Sequence, residues 1–328
     1  MNCPGCGSDL PESALSCQPC GKLVHSEKLE GLARRAKEAW RLGRFAEERA
    51  LWTESLALLP EDTVQHRTIA ARIEAINGML AGAEQHSDGG WKKAALLGVG
   101  PALVLLLTKG KFLLLGLTKI GTLVTMLASL GVYWALYGWA LALGVVVSIY
   151  IHEMGHVGMI RRFGFPSSAP MFIPGLGAFI QMRGIHLPPI PDSRIGLAGP
   201  IYGLGAAVAA LGVYYVTGLK VWGVIAHFGA WVNLFNLIPV WQLDGSRGLR
   251  SLTRSQRGLV LLAAGALWPL SSNGMLFLVA LGCGYRMFTR DWQAEPDNLG
   301  LMQFLGLLVA LSAVVMLSAG AAKIATGN

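Results

Sequence analysis

The stretch "SIYIHEMGHVGMIRR" (148–162) places ionisable side chains in a segment that otherwise suits lipid. An ionisable group at the centre of a bilayer helix costs about 2.5 to 3.5 kcal/mol, so three within five residues need a compensating partner. On a helix His152 and His156 share a face, and Glu153 projects beside them. Two imidazoles at this spacing bind one metal ion, while the carboxylate acts as general base toward an activated water. The stretch therefore predicts a metal site with His152 and His156 as ligands and Glu153 as the catalytic base.

The composition around this stretch predicts a membrane body behind a polar head. The chain has 328 residues, of which 53% are hydrophobic and 14% charged, and nearly all long apolar runs follow residue 94. We therefore expect an all-α polytopic membrane protein with about six transmembrane helices. The candidate spans are 112–133, 137–159, 195–217, 221–240, 259–283 and 299–321. The run 259–283 is interrupted by Trp268-Pro269 and by 271–274, so a helical hairpin that does not cross is an equal alternative there.

The basic residues indicate orientation rather than nucleic-acid binding. The net charge is +8, but many basic residues flank apolar runs, where the positive-inside rule and anionic lipid account for them. Arg161 and Arg162 end the histidine-bearing helix, and further arginines follow Asp244, so both ends are expected to face the cytosol. The first residues lack the basic and apolar regions of a signal peptide, so we expect a cytosolic head. We thus expect a multi-pass protein of a bacterial cytoplasmic membrane, in contact with the lipid bilayer and without a nucleic-acid partner.

The first 25 residues carry a four-cysteine pattern. Two Cys-x2-Cys pairs, Cys3 with Cys6 and Cys17 with Cys20, are separated by ten residues. Such pairs place four thiolates around one tetrahedral Zn2+ ion. Two disulfides are the alternative, which the missing secretory signal disfavours. The pattern resembles small zinc ribbons, in which the metal replaces a core too small to form, and it predicts a structural zinc site.

Residues 26–86 repeat their apolar side chains at helical spacing, with a break at Pro60. The segment "GRFAEERALWTESLALLPED" (43–62) resembles the second half of a tetratricopeptide repeat, although Glu48 and Ser55 stand where small apolar residues are usual. A solenoid needs about three repeats to bury its core. We therefore interpret the segment as a helical hairpin that docks a protein partner, with a plain helical linker as the equal alternative.

A second polar cluster lies in "NLFNLIPVWQLDGSRG" (233–248), which follows the span 221–240. The pattern Asn236-x-x-Pro239 with Asp244-Gly245 at its end, combined with the His-Glu-x-x-His motif, resembles the site-2 protease family of intramembrane zinc metalloproteases. The resemblance covers about 137–248 and implies a three-helix catalytic core. It also implies that Asp244 is the third ligand of a catalytic zinc ion and that Asn236 helps to hold the substrate or the transition state.

The chain departs from many members of that family at two places. Ser246 stands where a second glycine is common, and Val240-Trp241-Gln242 lacks the usual second proline. The connection 162–194 is too short for a PDZ-like insertion. Within it "GAFIQMRG" (177–184) alternates enough to predict a short strand, to which an unwound substrate segment could pair. A simple membrane-associated loop is the alternative.

Together these observations predict an intramembrane zinc metallopeptidase that cleaves a transmembrane protein substrate near the cytosolic side. The predicted domains are a zinc ribbon (1–25), a tetratricopeptide-like segment (26–86) and a transmembrane metalloprotease domain (87–328). The first alternative is a non-catalytic membrane adaptor whose ribbon and helical segment are docking modules. A metal transporter is the second alternative, but transport needs sites along a route, whereas this chain clusters its ionisable groups at one depth.

Overall fold

A computed structural model describes residues 1–84, 120–163, 165, 171–173, 177–179 and 187–325. The chain divides into two compact units, Met1–Ser87 with Phe163–Phe165 and Asp88–Arg162 with Pro166–Asn328. The start of the predicted span 112–133 and the later part of the predicted strand 177–184 lie outside the described residues.

The N-terminal unit begins with two similar cysteine knuckles. In each knuckle the backbone amide of a glycine, Gly7 or Gly21, donates to the carbonyl of the cysteine four residues earlier. Both glycines have positive φ, 76° and 69°, which glycine adopts without the steric cost that a Cβ brings. Cys3 and Cys17 are buried, so each Cys-x2-Cys loop turns one of its sulfurs inward.

Three helices follow the knuckles: α1 (Ser26–Arg41), α2 (Phe45–Leu56) and α3 (Val64–Glu84). They confirm the helical spacing and the predicted break near Pro60. The cost of burying the Glu48 carboxylate is offset by two hydrogen bonds. Its Oε1 accepts from Arg72 Nε at 2.8 Å and from Trp52 Nε1 at 3.2 Å. Ser55 is also buried and donates to the Leu51 carbonyl at 2.9 Å. Both departures from the repeat pattern are thus polar groups whose partners lie within the unit.

The second unit is helical apart from one short hairpin. Its elements are α4 (Ile120–Tyr137), α5 (Trp139–Arg162), β1 (Met171–Ile173), β2 (Gly177–Phe179), α6 (Pro189–Thr217), α7 (Lys220–Asn236), α8 (Asp244–Gly248), a 3-10 turn (Leu249–Ser251), α9 (Arg254–Ser271), α10 (Gly274–Arg286) and α11 (Asn298–Ala325). The strands are antiparallel, with Met171 opposite Phe179. The all-α class is confirmed apart from these two strands, and β2 confirms the start of the predicted strand.

Three of the described helices are long and apolar enough to cross a membrane: Trp139–Arg162, Pro189–Thr217 and Asn298–Ala321. They correspond to the predicted spans 137–159, 195–217 and 299–321, and they make the chain an integral membrane protein. The span predicted at 221–240 is a helix of 17 residues that ends at Asn236. The run 259–283 is two helices, because Ser272 adopts a left-handed conformation (φ 51°) and Asn273 caps the next helix. The run is therefore a pair of helices in contact with each other, as the hairpin alternative predicts, and its failure to cross the membrane stays a prediction.

Helix α6 lies at the centre of this unit, in contact with α5, α7, α8 and α11. Small residues let these backbones approach, as is common between membrane helices. A Cβ added to Gly155 of α5 would lie 2.4 Å from the Ala198 carbonyl oxygen of α6. Glycine at this position therefore lets α5, which bears the two histidines, pack directly against α6.

Candidate metal centre

Helix α5 carries His152, Glu153 and His156, which are only 5%, 4% and 6% exposed. The two histidines lie one helical turn apart with their rings edge to face. Their Nε2 atoms are 3.1 Å from each other. The structure thus has the imidazole pair that the spacing of the motif predicts.

Asp244 completes the cluster from a distant part of the chain. It is the first residue of the short helix α8 and is buried. Its Oδ2 lies 3.0 Å from His152 Nε2, and its Oδ1 lies 3.2 Å from His156 Nε2. The three side chains form a group whose ligand atoms all lie within 4.8 Å of one another.

The Nδ1 atoms of both histidine rings, which lie opposite the Nε2 atoms, face hydrogen-bond acceptors. His156 Nδ1 lies 2.7 Å from the Ile195 carbonyl oxygen of α6. His152 Nδ1 lies 2.8 Å from Oδ1 of Asn233 in α7. In neutral rings the proton therefore belongs on Nδ1, which leaves both Nε2 lone pairs directed into the cluster.

This arrangement fits a zinc ion. Two Nε2 lone pairs and two carboxylate oxygens converge, and a bound cation compensates the burial of such a group of acceptors. Imidazole and carboxylate are ligands that zinc uses, and catalytic zinc sites have three protein ligands with a further position open. His152, His156 and Asp244 are thus the residues that could hold the metal.

Glycines of α6 make room for the cluster. A Cβ on Gly199 would lie 2.2 Å from His156 Nε2 and 2.7 Å from His152 Nε2. One turn later, a Cβ on Gly203 would lie 2.2 Å from Asn233 Oδ1. Any larger residue at these two positions would displace either the ligand atoms or the side chain that supports one of them.

An ion-pair network around the buried carboxylate of Asp192 fixes the segment that carries Asp244. Asp192, near the start of α6, accepts from Arg247 Nε at 2.9 Å and from Arg250 Nη1 at 2.5 Å. Beside this contact Ser193 Oγ donates to the carbonyl of Gly248 at 2.9 Å. These contacts hold α8 against α6, so Asp244 meets the histidines through tertiary packing rather than through local sequence.

The structure distinguishes the two asparagines of α7. Asn236, which the sequence selects, is the last residue of the helix and is half-buried. The hydrogen bond to His152 is made by Asn233, one turn earlier, which sequence reasoning missed. A second polar side chain in an apolar helix is the signal that could have indicated it. The Ile195 carbonyl gives no such signal in the sequence, since every residue has a backbone carbonyl.

The four cysteines form a second cluster in the N-terminal unit. All four are free, which does not support the disulfide alternative. The sulfur of Cys3 lies 3.6 Å from that of Cys20, and the sulfur of Cys6 lies 3.6 Å from that of Cys17. Hydrogen bonds from the Ser8 side chain and backbone lower the pKa of Cys6 to about 6, whereas burial raises the pKa of Cys17 to about 12. A buried thiol of this kind becomes a thiolate when a metal replaces its proton.

Comparison with known proteins agrees with the His-Glu-x-x-His motif. Residues 140–219, which include His152, Glu153, His156 and all of α6, match the family model of peptidase family M50. A zinc metalloprotease of Methanocaldococcus jannaschii is 26% identical over 132 residues, which are 39% of this chain and 37% of that protein. The matched region thus spans well under two thirds of the relative's length. No solved structure matches the chain significantly. The resemblance to the site-2 protease family is confirmed by the first two matches.

Proposed function

We propose that this chain, which carries a peptidase family M50 domain, is an intramembrane zinc metalloprotease. Its substrate is a membrane protein, and the bond that it hydrolyses lies in or near a transmembrane segment, toward the cytosolic side. One observation carries the proposal. The acceptor atoms of His152, His156 and Asp244 converge beside the buried carboxyl of Glu153, which is not a member of that ligand group.

The side chains divide the chemistry among them. When bound, zinc supplies Lewis acidity, which makes a water molecule acidic near neutral pH and polarises the substrate carbonyl. Glu153 takes the proton of the attacking water and returns it to the nitrogen of the leaving amine as the peptide C–N bond breaks. Asn236, at the cytosolic end of α7, holds the substrate or stabilises the charge that develops on its carbonyl oxygen.

The short hairpin that contacts α5 supports a way of presenting the substrate. Strand β2 contacts α5, the helix that bears the two histidines, and β1 contacts α4. A substrate segment that pairs with this hairpin is extended, so its carbonyl is exposed to attack, whereas a helical segment hides its carbonyls in hydrogen bonds. Strand pairing next to α5 therefore delivers an unwound transmembrane segment to Glu153.

The membrane topology that we propose for the chain follows from the positions of its basic residues. Arg161 and Arg162 end α5, and Arg247 and Arg250 follow Asp244, so the site lies toward the cytosol. The N-terminal head is placed on the same side, in a bacterial cytoplasmic membrane. In this proposal residues 1–25 are a ribbon with one structural zinc ion, 26–86 are a docking segment, and 87–328 are the protease domain with one catalytic zinc ion.

A specific observation favours a partner at the head. A cavity of about 260 Å³ between the three helices is lined by Trp40, Trp52 and Ile69, together with Glu48 and Arg72. Aromatic walls with a charged pair suit an apolar side chain of a partner protein. This cavity also keeps the alternative function open, in which the chain is a non-catalytic membrane adaptor.

The substitution Glu153→Gln tests the proposal. It keeps the size of the side chain and removes the base, so zinc is retained while hydrolysis falls by about 10²-fold to 10⁴-fold. The measurement is membrane proteomics of cells with either chain, followed by cleavage of the accumulating protein by purified enzyme in detergent. Glu74→Gln, an exposed change in the head, is the matched control. Turnover at the wild-type rate in Glu153→Gln would refute the proposed role, and the adaptor alternative predicts no accumulating substrate.

A further inference from the structure

We infer that Asn233 is a positioning residue that fixes the orientation and the tautomer of His152, and thereby sets the metal affinity of the site. The inference concerns metal binding, and it rests on the proposed function only for its effect on catalysis. Asn233 lies 81 residues from His152 in the chain and is 3% exposed. It touches the ligand and not the reacting atoms.

The orientation of the Asn233 amide is determined by a second hydrogen bond. Its Nδ2 donates to the Gly229 carbonyl at 2.7 Å, within the same helix. The carbonyl oxygen of the amide must therefore face His152, where it accepts from Nδ1 at 2.8 Å. Nδ1 carries the proton as a result, and the Nε2 lone pair is free for a metal.

Close packing against α6 restricts the side-chain amide of Asn233 to one position. Gly203 of α6 lies against it, and a Cβ there would lie 2.2 Å from Oδ1 and 2.4 Å from Nδ2. The buried amide thus has a helix backbone on one side and a histidine on the other. Such confinement is what a supporting residue needs to restrict the ring of a metal ligand to one orientation.

The two histidines are supported in different ways. His156 relies on the Ile195 carbonyl, which remains whatever side chain stands at position 195. His152 relies on a side chain, so its support can be removed or altered by substitution. The affinity of the site for metal is therefore adjustable at position 233 without any change to a ligand.

This inference gives the two asparagines of α7 separate roles. Asn236, at the end of the helix, acts on the substrate in our proposal, so its loss lowers kcat and leaves metal affinity unchanged. Asn233 acts on His152, so its loss lowers metal affinity first. Measuring metal affinity and turnover on both variants separates the two roles.

The test uses the full chain in detergent, with Zn2+ removed from the histidine site by competing chelators of graded affinity. Asn233→Ala is expected to lower zinc affinity there by about 10-fold to 100-fold, while the cysteine cluster keeps its zinc as an internal reference. Cleavage by this variant should recover as free zinc is raised, with KM for the substrate unchanged. Unaltered zinc affinity in Asn233→Ala would overturn the inference.

A second variant covers the case in which Asn233→Ala does not fold. Asn233→Asp keeps an oxygen acceptor toward His152 Nδ1 but loses the Nδ2 donor to the Gly229 carbonyl. Its zinc affinity should therefore stay within about 10-fold of the wild type, and a larger loss would contradict the inference. If the wild-type chain binds zinc at the histidines but cleaves no membrane protein, the proposed function fails and the role of Asn233 stands.

Discussion

The two candidate metal-binding clusters of this chain are built in opposite ways. The cysteine cluster takes all its ligands from residues 3 to 20, and each half is a tight turn closed by its own backbone hydrogen bonds. The histidine cluster takes its ligands from α5 and α8, and a third helix, α6, makes room between them. A local cluster can be found by counting residues along the chain. An assembled cluster depends on how helices pack, and its supporting residues are found only in three dimensions.

The surroundings of the two clusters differ as much as their ligands. The cysteine knuckles have a small apolar cluster of Cys3, Leu10 and Cys17, with Ala14 and Val24 packed against it. The histidines lie among long helices whose buried residues form extensive clusters. We therefore expect the knuckles to need their metal in order to fold, and the membrane unit to keep its fold without metal.

Replacing one buried cysteine should break the local cluster, and we expect this substitution to have the largest effect of those proposed here. Cys17→Ser is expected to release the zinc ion of the knuckles, whose binding contributes about 10 to 16 kcal/mol in comparable peptides, and to unfold residues 1–25. Zinc content should fall from two ions per chain to one, with hydrogen exchange increased only in the knuckles. Cys283→Ser is the matched control, because Cys283 is buried and lies outside the cluster. Two retained ions in Cys17→Ser would refute the structural zinc site.

Filling the space between the helices should break the assembled cluster although no ligand residue is substituted. Gly199→Ala places a methyl group where His156 Nε2 and His152 Nε2 converge, so the catalytic ion and the protease activity should both be lost. Zinc content again falls by one ion per chain, but the cysteine knuckles keep theirs. Gly205→Ala on the same helix is the control, because a Cβ there meets nothing within 4 Å. Full zinc content and activity in Gly199→Ala would show that α6 does not lie as close to the two histidines as this structure has it.

Weakening the network behind Asp244 should have a smaller and graded effect. Asp192→Ala leaves Arg247 and Arg250, both partly exposed, without their shared acceptor and should lower the free energy of unfolding by about 2 kcal/mol. Arg250→Ala should cost about 1 kcal/mol or less, because Arg250 is 40% exposed and Arg247 still pairs with Asp192. Urea unfolding in detergent, followed by zinc content, measures both. Equal losses for the two variants would mean that Asp192 is not the centre of this network.

Much of the fold could be predicted because membrane helices are recognisable from composition. The helices at 139–162, 189–217 and 298–321 correspond to runs that are apolar enough to cross, whatever packs against them. The helix Lys220–Asn236 was predicted too long, since the apolar run continues past Asn236 into residues that do not continue the helix. Apolar composition alone does not indicate where a helix ends. The division of 259–283 was readable as an alternative, because Pro269 and the polar residues after it weaken the helix.

The sequence by itself determined the ligand types and the local geometry of both clusters. Four residues along a helix bring His152 and His156 to one face, and a Cys-x2-Cys turn brings two sulfurs together, in any surroundings. Only the tertiary structure decided which groups support the histidines, namely the Ile195 carbonyl and the side chain of Asn233. The physical reason is that contacts between helices depend on their relative rotation and distance. These are set by close packing at residues such as Gly199 and Gly203, and no spacing along a single helix reveals them.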